Sequence, residues 1–194
     1  MVPIKENLVP KDKYAIKCPY TRTPTRVVIH NTANDATAAN EISYMRYNDL
    51  EISFHYAVDD VNIVQGIPEN RNAWASGDGH GKGNMEGIHI EICYSKSGGE
   101  KFDKAEQNAA EFTASLLKKY GWSIDKVTKH RDYDGKYCPH RTLDRGWQRS
   151  QYLSGCNNDL TSKQIVDWTC PTYAYHDCLV EIEPWDGVVA ESQE

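Results

Sequence analysis

Three residues have the chemistry of a catalytic metal site. His30 closes a β-branched run, Arg26-Val27-Val28-Ile29, and His130 closes the extended segment 123–130. Cys138 follows eight residues later, in a polar loop. Two imidazoles and a thiolate leave the fourth position of a tetrahedron open for water, which is the pattern of a catalytic rather than a structural zinc. The donor softness also suits zinc. Spacing alone does not single out this triplet, since any one of seven histidines is more often a satisfied core or surface residue.

Hydrolysis by a zinc-bound water would also need a base for the water's proton, a cation for the charge that develops and a proton for the leaving group. Glu91 stands in an Ile-rich stretch, Gly87-Ile88-His89-Ile90-Glu91-Ile92-Cys93-Tyr94. With Ile88, Ile90 and Ile92 on one face of a strand, it shares the other face with His89 and Cys93. That makes it a candidate base and proton shuttle, although taken alone a solvated residue on a sheet face is the commoner reading. Lys136, two residues before Cys138, is either that cation or a surface lysine, the commoner fate.

The elements that carry these residues follow from patterning. Strands are expected at 26–32, 52–58, 61–67 and 87–94, with the polar pair Asp59-Asp60 turning between the second and third. A helix is expected over 38–50, N-capped by Thr37, with Tyr44, Met45 and Tyr47 as packing residues. A second helix spans 103–120, with Asp103 and Glu106 as an Asp variant of the capping box and Gly121 at C′. The first two dozen residues form an arm or loop. The order β-α-β-β-β-α-β indicates an α/β domain with a central mixed β-sheet flanked by helices. Between residues 68 and 87 lies a Gly- and Asn-rich loop long enough to be functional. Asn70, Trp74, Asp78, His80 and Asn84 are its candidate substrate-binding residues, the alternative being a simple connector.

Taken in order, Val28-Ile29-His30-Asn31-Thr32, Phe54-His55-Tyr56-Ala57-Val58-Asp59, Ala73-Trp74, Gly77-Asp78-Gly79, Gly87-Ile88-His89-Ile90-Glu91 and His130-Arg131-Asp132 through Gly135-Lys136-Tyr137-Cys138-Pro139 resemble the zinc-dependent N-acetylmuramoyl-L-alanine amidases of the type 2 amidase and peptidoglycan recognition protein fold. Endolysins of phages and prophages of Gram-positive bacteria are the members it is most similar to. The resemblance covers roughly residues 5–150. It implies Zn2+ held by His30, His130 and Cys138, with Glu91 and Lys136 as catalytic residues. The implied reaction is hydrolysis of the bond between N-acetylmuramic acid and L-alanine, with peptidoglycan as partner. It also implies synthesis in the cytoplasm and release to the wall through a separate holin, in keeping with an N-terminus that has no apolar signal core. A non-catalytic peptidoglycan-binding protein of the same fold is the alternative. Such recognition proteins often carry serine at the third ligand position, and here it is Cys138. The pattern departs from the family at Phe54, where one branch has tyrosine, and at Ala75, where many members have histidine; His80 is a candidate substitute. It departs mildly at His140-Arg141.

Composition sets the outer limits. The 194 residues carry 22 Lys and Arg against 28 Asp and Glu, a net charge of −6. Residues 157–194 hold eight acids and one base, so the first 156 are close to neutral. Neither part has a basic nucleic-acid footprint. No run approaches the roughly 18 apolar residues of a membrane span, so no membrane insertion is expected. Six cysteines are scattered without a CxxC pair, and Cys18 and Cys93 read as buried thiols. A catalytic domain over 1–155 is expected, followed by an acidic, cysteine-bearing tail over 156–194. Within the tail, 161–168 is expected to form a short helix, and Cys170, Cys178 and their aromatic neighbours suggest a hairpin or metal clip; a linker, a truncated wall-binding module and an assembly segment stay open as its role.

Overall fold

The computed structural model describes residues 1–149. The boundary expected near 155 and every expectation for the tail lie outside the described residues.

Six strands form one mixed sheet in the order β1-β4-β3-β5-β2-β6. They are β1 (Ile4–Glu6), β2 (Arg26–Asn31), β3 (Tyr56–Val58), β4 (Ile63–Gln65), β5 (Gly87–Ile92) and β6 (Val127–Lys129). Within this sheet, among the described residues, β3 and β4 pair antiparallel as a hairpin and the other neighbours pair parallel. β2 and β5 are neighbours and almost wholly buried, and the alternation expected for β5 appears as a division of labour between its faces. Register places Tyr56 and Val58 beside Ile90 and Ile92. Tyr56 meets Phe112 of helix α4 (Gly99–Tyr120) edge to face, with ring centroids 4.6 Å apart. On the other face His30 pairs directly with Glu91, and Val28 with His89. The sheet thus puts two of the expected site residues side by side.

Helix α2 (Ala38–Tyr47) starts where Thr37 accepts a hydrogen bond from Asn40 N. Asp59 sets both this helix and the hairpin. Its Oδ1 accepts from Val61 N and Asn62 N in the turn, and its Oδ2 accepts from Ala38 N at the helix start. Ile42 and Met45 are buried, but Tyr44 and Tyr47 are exposed rather than packing residues. The helix ends at Tyr47, before a loop held by a fully buried Lys17, the last residue of α1 (Tyr14–Lys17). The Lys17 ammonium donates to Asn48 Oδ1 (2.7 Å), Leu50 O (2.5 Å) and Ile52 O (3.1 Å).

Helix α4 begins at Gly99, four residues before the expected Asp103 cap. Gly98 and Gly99 take φ of 73° and 70°, and a Cβ on Gly98 would stand 2.6 Å from the Arg141 guanidinium. Asp103 and Glu106 do not form a capping box. They hold Arg145, and Glu106 also accepts from Thr142 Oγ1 (2.6 Å). They therefore clamp α6 (His140–Asp144), the short helix after Cys138. Gly121 ends α4 in the left-handed region, as expected. The N-terminal arm contributes β1, paired with β4, and the loop at 68–87 contains a short helix, α3 (Lys82–Glu86). Among the described residues, no helix is long and apolar enough to cross a membrane.

Candidate metal centre and groove

His30, at the end of β2, is buried. His130 follows β6 and its N–H donates to Ile29 O, so it enters beside His30 by extending the β2–β6 ladder. Its own short helix, α5 (Arg131–Asp134), brings Asp134 back to it, with Oδ2 3.1 Å from His130 Nε2. Cys138 is positioned from both sides. Arg131 N donates to its carbonyl. Asn31, the neighbour of His30, accepts from Arg141 N and Thr142 N at the start of α6.

The donor atoms of His30, His130 and Cys138 lie within 4.8 Å of one another. His30 Nδ1 is 3.1 Å from His130 Nδ1 and 4.0 Å from Cys138 Sγ. Tetrahedral bonds of about 2.0–2.3 Å separate such donors by about 3.3–3.7 Å, close to what is seen. Asp134 accepts a hydrogen bond from Nε2–H of His130, which leaves a bare Nδ1 beside His30 Nδ1. Burial, with the neighbouring imidazoles and the Lys136 charge, holds His30 well below the ordinary histidine range. Burial also lowers His130, although Asp134 opposes it. Burial, reinforced by the Glu91 charge, pushes the Cys138 thiol up to about 12. Neutral imidazoles and a thiol gathered this way, with lone pairs converging, fit a soft divalent cation.

Glu91 Oε1 lies 3.9 Å from His30 Nδ1. Burial raises its carboxyl to about 8; the charge of Glu41 on α2 adds to this, and Lys136 opposes it. This puts its proton exchange near neutral pH. The cluster opens into a groove of about 1040 Å³ lined by Glu91, Lys136 and His140 together with Phe54, Trp74 and His80. The Trp74 indole N–H donates to Ile16 O, and its ring stands edge-on to Tyr20 and His80. His80 lines the groove and is exposed.

Other residues of the 70–84 loop turn inward. Asn84 is buried; its Oδ1 accepts from Ala75 N and Ser76 N and its Nδ2 donates to Gly79 O. Asp78 caps α3 by accepting from Gly83 N and Asn84 N, and does not line the groove. Asn70 is also away from it, its carbonyl bound by Arg22 N. Gly77 (φ 68°) is needed for close approach, because a Cβ there would strike Asp134. Sequence reasoning missed Asp134, Asn31, Glu41 and His89. Asp134 sits four residues after His130, and His89 shares the parity of Glu91, so those two left a signal.

The N-acetylmuramoyl-L-alanine amidase family model matches residues 20–141. The N-acetylmuramoyl-L-alanine amidases XlyB and CwlA of Bacillus subtilis (strain 168) are 58% and 57% identical over 146 residues. Those alignments cover 75% of this chain and 46% and 54% of the relatives, so the chain spans about half the length of the curated proteins it matches. The solved structure of PlyL superposes with a TM-score of 0.77 at 50% identity, covering 79% of this chain and 99% of that one. The architecture is that of the type 2 amidases. The chain belongs to the N-acetylmuramoyl-L-alanine amidase family.

Proposed function

We propose that this chain is a zinc-dependent hydrolase of the amide between N-acetylmuramic acid and L-alanine in peptidoglycan, and that it lyses the cell wall. What supports the reading most is the convergence of His30, His130 and Cys138 on one point, with Glu91 beside them, in a groove large enough for a muramyl peptide. His30 and His130 through Nδ1, and Cys138 through Sγ, would hold the zinc. When bound, zinc lowers the pKa of a water to about 7 and so makes hydroxide available at neutral pH.

Glu91 takes the proton of the attacking water on its carboxylate and returns one to the leaving amine of L-alanine; a carboxyl tuned near neutrality serves both directions. Lys136 lines the same groove and faces the charge that grows on the carbonyl oxygen. Trp74 and His80 form a rim against which a sugar or stem peptide can lie. The rim roles expected of Asn70, Asp78 and Asn84 have less support, because the first two lie off the groove and Asn84, although it lines the groove, is buried and bonds backbone groups of its own loop.

Digestion of purified cell wall with end-group analysis tests the reading. New L-alanine amino termini without new reducing sugar ends are expected. Reducing ends would indicate a glycosidase and overturn it.

A further inference from the structure

His89 makes the closest contact on the inner side of the metal centre. Its Nδ1 lies 3.0 Å from His30 Nε2, and its ring is fully buried. One of these nitrogens donates and the other accepts. The other nitrogen of the His30 ring decides which.

His30 turns Nδ1 towards His130 Nδ1 (3.1 Å) and Cys138 Sγ (4.0 Å), the side on which a metal would sit. A neutral imidazole carries one proton. With Nδ1 left bare for the metal, that proton stands on His30 Nε2, which donates to Nδ1 of His89.

The His89 ring is itself held in place. It stacks on His55 at 5.6 Å with an interplanar angle of 16°. The backbone N–H of His89 donates to His55 Nδ1 (3.1 Å), which leaves the His55 Nε2 proton for Arg71 O (2.9 Å). Burial lowers all three imidazoles from the ordinary histidine range, and the Arg22 charge lowers His55 and His89 further.

We propose that His89 is the positioning residue of His30: by accepting from Nε2–H it fixes the ring's orientation and the tautomer that presents Nδ1 to the metal. The inference rests on the zinc reading above. Outer partners of this kind are typically worth 10–100-fold in metal affinity.

Two measurements on the full chain test it. The first is the long-range 1H–15N spectrum of the chelated, histidine-labelled protein. It should show His30 with its proton on Nε2; a proton on Nδ1 overturns the proposal. The second is zinc affinity by competition. His89→Leu should weaken binding by about 10–100-fold and shift the visible spectrum of the cobalt-loaded protein. His89→Asn, whose carbonyl oxygen can stand near the lost Nδ1, should recover most of the affinity and the parent spectrum. Unchanged affinity in His89→Leu overturns the proposal, and so does equal loss in both variants, which would mean that the ring only fills space. Should His89→Leu fail to fold, the tautomer of the parent still decides. A parent chain that binds no zinc would sink the metal reading instead, while the tautomer would still be read.

Discussion

Glu91 should leave a measurable imprint on the stability of the metal-free protein. Its carboxyl rises from an ordinary value of 4.5 to about 8, chiefly through burial, with the Glu41 charge adding to it. The folded state therefore keeps a proton that the unfolded chain releases near 4.5. The stabilisation is fully present below that value and is lost as pH rises through about 8. A tenfold change in proton affinity is worth about 1.4 kcal/mol, so the ceiling is about 5 kcal/mol. The side chain keeps 16% of its exposure, and water contact reduces the expectation to about 2–4 kcal/mol. The assay is urea unfolding of the chelated parent and of Glu91→Gln between about pH 5 and pH 8. The buried histidines, whose values are lowered, contribute an opposite slope below 6.5, but they do so in both proteins and cancel in the difference. Across this range the variant should gain about 2–4 kcal/mol relative to the parent. A flat difference, or a relative gain by the parent, would refute the argument that Glu91 is held protonated by burial.

The thiol of Cys138, held up to about 12 without a metal, should release its proton when zinc binds. Calorimetry at neutral pH in buffers of different ionisation enthalpy should report about one proton or more per zinc, and none would remove Cys138 from the ligand set. Lys136→Ala should lower kcat by about 10²-fold with little change in KM; undiminished turnover would leave Lys136 a rim lysine. Replacing Lys17 by Met leaves Asn48 Oδ1, Leu50 O and Ile52 O without their shared donor. Urea unfolding should show a loss of about 2–5 kcal/mol, and a loss below about 0.5 kcal/mol would show that the buried ammonium is dispensable.

The site was readable where residue type and strand period coincide. His30 ends a β-branched run and Glu91 falls on the polar side of an isoleucine alternation, and in the sheet the two are register partners. The same alternation builds the α4 side of the core, where Ile90 sits beside Tyr56. Legibility failed where a local pattern has distant partners. Asp103 and Glu106 imitate a capping box, yet their partners are Arg145 and Thr142, about forty residues away. β1 is three exposed residues with no apolar period, and only its pairing with β4 makes it a strand. Polar residues of the 70–84 loop looked available for a ligand, but Asp78 and Asn84 satisfy backbone groups that a tight glycine-rich turn leaves open. Lys17 gave no sign of burial, since what accepts its protons is mostly carbonyl oxygens of a loop more than thirty residues on.

The central claim is that one zinc, held by His30, His130 and Cys138, is required for amide hydrolysis. Titration of the chelated protein with zinc, reading release of L-alanine amino termini from purified wall, tests it most directly. Activity should be absent after chelation and rise to a plateau at one zinc per chain, while Cys138→Ser stays inactive at the same loading. Full activity in the chelated protein, or in Cys138→Ser, would contradict the account.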